Sequence, residues 1–217
     1  MNKSHEQMIK TIIEQAKNVQ DEPIDQRVLD AMASLDRAYF GGTTDDKPNP
    51  IGYGQTISQP LMVAMMTDIV LRESKQHHRI CEIGAGSGYQ VAILSQLFKQ
   101  VIGIERIGAL AQQAKDRLGS MHCDNVQIIH ATGAHLRQSH LDAIILTCGL
   151  TGEMPEEWAH CLNDSGVVLA PYQAHDQESM QLMLWQKTPT GMLKKSPFDR
   201  PFFCRFVPFI AEPETKA

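Results

Sequence analysis

The chain has 217 residues, a mass of 24.2 kDa, and 42% hydrophobic and 21% charged residues. That balance fits one globular core and excludes a fibrous protein, a disordered chain or a small disulfide scaffold. A formal net charge of -5 and an isoelectric point near 6.0 argue against a surface for nucleic acid or anionic lipid, which needs clustered Lys and Arg.

The opening Met1-Asn2-Lys3-Ser4-His5-Glu6 is polar and holds no apolar leader, so a cytoplasmic protein is expected. Gln7 to Asn18 place Met8, Ile9, Ile12, Ile13 and Ala16 at helical spacing. Val28, Leu29, Ala31, Met32 and Leu35 repeat that pattern after Pro23, predicting two opening helices. Gly41 to Pro50, rich in Gly, Thr, Asp and Pro, reads as a long surface loop able to close over a neighbouring site. Ser58-Gln59-Pro60 then reads as a cap followed by Pro in the first turn, and Leu61 to Leu71 as a helix apolar all round. Thr67-Asp68 interrupts it, and no run reaches the roughly 20 apolar residues that cross a bilayer.

From Arg79 onward the pattern alternates. Strand-like runs at Arg79 to Ile83, Val101 to Ile104, Val126 to Ile129 and Ala143 to Leu146 flank helical segments at Tyr89 to Phe98 and Ala109 to Leu118. Such alternation predicts an α/β fold, a doubly wound and mostly parallel sheet with helices on both faces. Gly166 to Ala170, Met180 to Trp185 and Phe202 to Ile210 complete seven strands, and the last pair lacks a helix between them, so an antiparallel edge is expected. The cysteines Cys81, Cys123, Cys148, Cys161 and Cys204 are scattered, which fits reduced thiols. His77-His78 are adjacent and His135 and His140 are not one helical turn apart, so no metal is expected. Trp158 and Trp185 in apolar surroundings, and Cys81 inside the first strand, read as packing residues.

The sharpest local signal is Glu82-Ile83-Gly84-Ala85-Gly86-Ser87-Gly88-Tyr89, at the end of the first parallel strand and the start of a helix. Glycines there let backbone approach a ligand beside a helix N-terminus. Glu105 ends the next strand, about 20 residues further on, where doubly wound folds hold ribose hydroxyls. The spacing is G-x-G-x-G, with Tyr89 where a dinucleotide fingerprint has its third Gly. Glu82 would crowd a pyrophosphate but suits a cofactor carrying an ammonium and a sulfonium, which favours S-adenosylmethionine over NAD. A glycine turn that only packs strand on helix would explain the glycines but not the two acids.

Upstream, Pro50-Ile51-Gly52-Tyr53-Gly54-Gln55-Thr56-Ile57-Ser58-Gln59-Pro60 closely resembles the hallmark P-I-G-x-G-Q-T-I-S-Q-P of protein-L-isoaspartate O-methyltransferases. Val28 to Met32, the glycine motif, Glu105-Arg106-Ile107, Asp142 to Ile145 and Phe206-Val207-Pro208 agree with the same family, over about residues 25–210. The resemblance implies a Rossmann-like class I methyltransferase with an N-terminal helical extension. It implies one domain over 1–217, with helices and active-site loop in 1–60, the core in 61–210 and a tail in 211–217. The implied activity is transfer of the methyl of S-adenosylmethionine, leaving S-adenosylhomocysteine, to the α-carboxylate of L-isoaspartyl and D-aspartyl residues of damaged proteins. The expected partners are such proteins or peptides, with neither nucleic acid nor membrane, and the expected state a monomer or weak dimer.

In the family the Thr-Ile-Ser segment lies over the methyl donor, and the matched serine, Ser58, is implicated in catalysis. An isoaspartyl carboxylate is already ionised at neutral pH, so Ser58 would orient it rather than deprotonate it. A bare helix cap at Pro60 explains the same serine. The resemblance further implies cofactor contacts from Gln55, Thr56, Ile57, Ser58, Glu82, Gly84, Ala85, Gly86, Ser87, Gly88, Glu105, Arg106, Thr132, Gly133 and Thr147. Three stretches depart from it. Ala131-Thr132-Gly133 stands for the usual G-D-G beside adenine, weakening the cofactor by about 1 kcal/mol. Thr147-Cys148-Gly149 stands for T-A-A, and Ser165 to Gln173 loosens the family's G-G-R-L-V-I-P-V-G. These leave open a methyltransferase of the same fold with another acceptor, or a divergent paralogue without activity. N-P-P-Y, the mark of adenine and glutamine N-methyltransferases, is missing after the fourth strand.

Overall fold

A computed structural model describes residues 3–174, 178–199 and 201–211; the polar Met1-Asn2 and all of the expected tail beyond Ala211 lie outside them. Helices α1 (Lys3–Ala16) and α2 (Gln26–Ala33) open the chain. The helical spacing holds for Met8, Ile12 and Ala16, which α1 buries together with His5 along one stripe, whereas Ile13 is exposed. A short hairpin follows, β1 (Asn49–Gly52) and β2 (Gln55–Ile57), and then α3 (Pro60–Glu73). Every residue of α3 from Pro60 to Leu71 is buried. Its polar members are matched internally: Thr67 Oγ1 donates to Val63 O, and Asp68 accepts from the Asp25 amide and Arg72.

The parallel strands are β3 (Arg79–Ile83), β4 (Gln100–Glu105), β5 (Val126–His130), β6 (Leu141–Leu146) and β8 (Leu162–Gln173). Helices α4 (Tyr89–Ser95) and α5 (Gly108–Ser120) and the short α6 (Glu156–Cys161) lie between them, and β7 (Leu150–Thr151) is a two-residue strand beside β8. Helix α6 was not expected. Strands β9 (Met180–Thr188) and β10 (Gly191–Lys195) complete the main path, whose order is β10-β9-β8-β6-β3-β4-β5. The expected seven-stranded, mostly parallel sheet is therefore present, extended by β7 and by β11 (Phe203–Cys204).

Alternate residues of the central strands feed two cores, as the pleat requires. Ile80, Ala143, Ile145, Val167 and Leu169 face α1 to α4. Cys81, Ile83, Ile144, Leu146, Val168 and Ala170 face Trp158 and Leu136. Glu82 falls on the first of these faces by the same alternation, at the carboxyl end of the sheet.

One expected strand is corrected. Phe202 to Ile210 forms only the two-residue β11. The outer edge of β9 is already taken by β10 from Leu184 to Thr188, leaving Met180 and Gln181 for Phe203 and Cys204. Pro208 also lacks an amide for a ladder. Its neighbours clasp the loop after β6 instead: Gly149 N donates to Val207 O at 2.8 Å, and Phe209 N to Gly149 O at 2.7 Å. The turn signature Pro189-Thr190-Gly191 marks the β9–β10 hairpin in the sequence.

Candidate active site

The carboxyl ends of β3, β4 and β6 turn into one cavity of about 790 Å³, a volume typical of cofactor pockets. Gln55, Thr56 and Ser58 of the hairpin segment bound one side, and Gly84, Gly86, Glu105 and Arg106 another. Gly133 and Thr147 close it on the sheet side. A smaller cavity of about 30 Å³ shares Thr56, Ser58, Gly84, Gly86 and Thr147 and adds Ile57, Glu82, Ala85, Ser87 and Gln90. That is room for one water or one ammonium group.

Thirteen of the fifteen residues implied as cofactor contacts thus line one cavity or the other. Gly88 and Thr132 line neither. Gly88 is the N-cap of α4, packed so that a Cβ there would touch Ala114 and Leu118 at 3.3 Å. Thr132 Oγ1 accepts from the Ala134 amide at 3.0 Å, capping a turn of 3-10 helix.

Glu82 is the electrostatic centre. Its carboxylate is 1% exposed, and Oε1 accepts from Thr147 Oγ1 at 2.9 Å. Oε2 has no partner among the described residues. Burial pushes its pKa up to about 8, with the Thr147 hydroxyl opposing and Glu105 adding to the shift. A buried acceptor without a donor, on the wall of a cavity the size of an ammonium, fits the amino-acid end of the expected cofactor. Glu105 accepts from Gly86 N at 2.9 Å and Ile107 N at 2.8 Å, which orients it and leaves lone pairs for ribose hydroxyls. Among the described residues no three His, Cys, Asp or Glu side chains gather as metal ligands.

Ser58 is not a helix cap. The N-cap position of α3 is Gln59, without a side-chain cap of its own. The orphan amide of Leu61 is met by Asp46 Oδ1 at 2.9 Å, while Asp46 Oδ2 accepts from Gln59 Nε2 at 2.7 Å. The Gly41 to Pro50 loop therefore caps the helix and is joined to this segment. Replacing Asp46 with Ala is expected to cost about 1–2 kcal/mol, read as a lower midpoint in thermal or urea melts. Nothing in local spacing separates Asp46 from Asp45, so the sequence held no signal for it.

Phe202 to Ile210 form the remaining wall, and Cys148 faces the same space. The Cys148 thiol is pushed up to about 12, by burial first and then by Glu105 and Glu82, so it stays protonated. A Cβ at Gly149 would overlap the end of the Met180 side chain, which would have to move. The departure at Cys148-Gly149 is thus the seat of the 207–209 clasp.

Comparison with known proteins places the chain in a family. Residues 3–213 match the family protein-L-isoaspartate(D-aspartate) O-methyltransferase (PCMT). Protein-L-isoaspartate O-methyltransferase 1 of Marinobacter nauticus is 40% identical over 69% of this chain and 68% of its own length. The protein-L-isoaspartate O-methyltransferase of Nitrobacter winogradskyi is 37% identical over 86% of both chains. A Plasmodium falciparum structure described as this enzyme in complex with S-adenosyl-L-homocysteine superposes with a TM-score of 0.79 at 22% identity, covering 96% of this chain and 99% of that one, and so shares the fold. With the matched hallmark over the cavity and the family's sequence pattern running nearly end to end, the chain belongs to the protein-L-isoaspartate(D-aspartate) O-methyltransferase family.

Proposed function

We propose that the chain methylates the free α-carboxylate of L-isoaspartyl and D-aspartyl residues in damaged proteins, using S-adenosylmethionine and starting their repair. Family membership supports the reaction, and one structural observation carries it to a residue. Ser58 lines both cavities, its backbone is fixed, and its hydroxyl has no hydrogen-bond partner among the described residues. A serine freed from capping and aimed at a cavity is available to a substrate oxygen.

The cofactor, when bound, supplies an electrophilic methyl group on a sulfonium. Glu82 would hold its ammonium end once the carboxyl has given up its proton, and Glu105 with the Gly84 to Gly88 backbone would hold the ribose side. The acceptor carboxylate, with a pKa of about 4, is ionised at neutral pH and needs orientation more than a base. Ser58 donates one hydrogen bond to it, and the 202–210 wall keeps water from the reacting oxygen. Thr132 and the other implied contacts remain part of the proposed cofactor site, Gly88 through its backbone alone, since its Cβ direction is taken up by Ala114 and Leu118.

We read residues 1–217 as one domain acting as a monomer or weak dimer in the cytoplasm. The packing of α1 and α2 into the same core as the sheet supports the first part. Five free cysteines support the last. Among the described residues no helix is long and apolar enough to cross a membrane.

Labelled methyl transfer to an isoaspartyl peptide and to its normal aspartyl twin tests the reading. Label is expected on the isoaspartyl peptide alone. Equal labelling would remove the repair assignment, and labelling of neither, with cofactor bound, would favour another acceptor.

A further inference from the structure

Arg37 is fully buried, at 0% exposure, yet makes no ion pair among the described residues. Burying a cation without a carboxylate is costly, and arginine is the residue most often kept buried for the directions of its donors. Here Nε donates to Thr43 O and Nη2 to Ser58 O, both at 2.8 Å. The guanidinium carbon lies 5.1 Å from the centroid of the Tyr89 ring, the first residue after the glycine motif. One planar group thus touches the Gly41 to Pro50 loop, the segment carrying Ser58 and the start of α4. Burial pulls its pKa below the usual value, with Tyr89 and Asp46 opposing. Gly42 leaves the space for it, because a Cβ at Gly42 would meet Arg37 Nε at 2.7 Å and Cγ at 2.8 Å.

Resting on the assignment of Ser58 to the acceptor carboxylate, we infer that Arg37 is the positioning residue that holds the Ser58 backbone so that its hydroxyl points into the cavity. The residues that follow are fixed by Asp46, through Leu61 N and Gln59, and the residues before it by the β1–β2 pairing. Ser58 lies between these supports, and the Arg37 bond is the one made to its own carbonyl. A lysine has a single ammonium on a flexible stem, so it cannot reproduce the two divergent donations from one fixed plane.

A double-mutant cycle separates positioning from general support of the fold. Arg37→Lys and Gly42→Ala are each expected to lower kcat on an isoaspartyl peptide by about 10- to 100-fold, the range for an ångström-scale misplacement. KM for the peptide and the Kd of S-adenosylhomocysteine by calorimetry should move less than about threefold, within the scatter of a fold-wide effect. In a Ser58→Ala background neither substitution should lower kcat further, because the group it positions is already gone. Multiplying losses in that background, unchanged kcat with both substitutions, or a parallel loss of S-adenosylhomocysteine binding would each overturn the inference. Should Arg37→Lys fail to fold, Gly42→Ala gives the answer alone, since it displaces the guanidinium without removing it. If Ser58→Ala by itself keeps the wild-type kcat, the serine assignment has failed, which is a different outcome from failure of the Arg37 coupling.

Discussion

Glu82→Gln is expected to weaken S-adenosylhomocysteine binding on the order of 100-fold while raising the thermal midpoint of the free protein. The two signs follow from one atom. Oε2 is buried without a donor among the described residues, so ionising it is costly until a cation arrives. Gln keeps an acceptor for Thr147 Oγ1, which lies 2.9 Å from Glu82 Oε1, and removes the charge. Losing one member of a buried charge pair costs about 2–5 kcal/mol in binding, and 100-fold lies within that range. At neutral pH Gln removes the cost of keeping a proton that the unfolded chain gives up, which should raise the midpoint by roughly 2–4 °C, the shift for about 1 kcal/mol in a chain of this size. Titration calorimetry and thermal melts on the same samples decide it, and a variant losing both affinity and stability would show Glu82 to be a structural residue.

The pH dependence carries the same argument further. Glu82 is pushed up to about 8 from an ordinary 4.5, so the folded protein keeps a proton that the unfolded chain gives up. Its contribution is fully present below pH 4.5 and is lost as pH rises through about 8. The midpoint advantage of Glu82→Gln should therefore be small at pH 5 and grow toward pH 8; a gap constant over that window would mean Glu82 does not titrate there. Holding the cofactor's ammonium requires the carboxylate, so binding S-adenosylhomocysteine at pH 7 should release protons, up to about one per site. Calorimetry in two buffers of different ionisation enthalpy measures that release directly.

Much of this site was legible in the sequence because backbone geometry and chemistry coincide in short motifs. The run from Pro50 to Pro60 and the turn from Glu82 to Gly88 each bring several cavity residues at once; alternation puts the turn at a sheet's carboxyl edge, and the family resemblance implied the place of the run. What was not legible depends on contacts far apart along the chain. Arg37 meets Ser58 and Asp46 meets Leu61 only because the 41–50 loop folds back on α3, and no periodicity encodes that return. The wall at 202–210 was misread because apolar alternation suits a strand, while the free edge it needed had gone to β10. Ser58 was open to two readings by residue type; Gln59 at the cap position and Asp46 at the Leu61 amide remove the helix cap, and the catalytic reading stands as the proposal.

The three glycines of the turn look equivalent in sequence, and two of them should respond differently to the same added methyl group. Gly84 has φ +98, and a Cβ there would lie 3.1 Å from Thr147 Oγ1, the hydroxyl that reaches both Glu82 Oε1 and Gly84 O. Gly88 has φ +88, and its Cβ would press on Ala114 and Leu118 of α5, away from either cavity. Each Ala substitution adds backbone strain of about 1–3 kcal/mol, so both variants should melt roughly 2–12 °C lower. Only Gly84→Ala should also lose cofactor affinity, by at least about 10-fold, because moving Thr147 strips Glu82 of its one hydrogen bond. Gly88→Ala should bind S-adenosylhomocysteine within about threefold of wild type once folded, since its cost falls on helix packing. Equal loss of affinity in both would show that the turn grips the cofactor as a single rigid unit, and the division between a ligand-facing and a packing glycine would have to be abandoned.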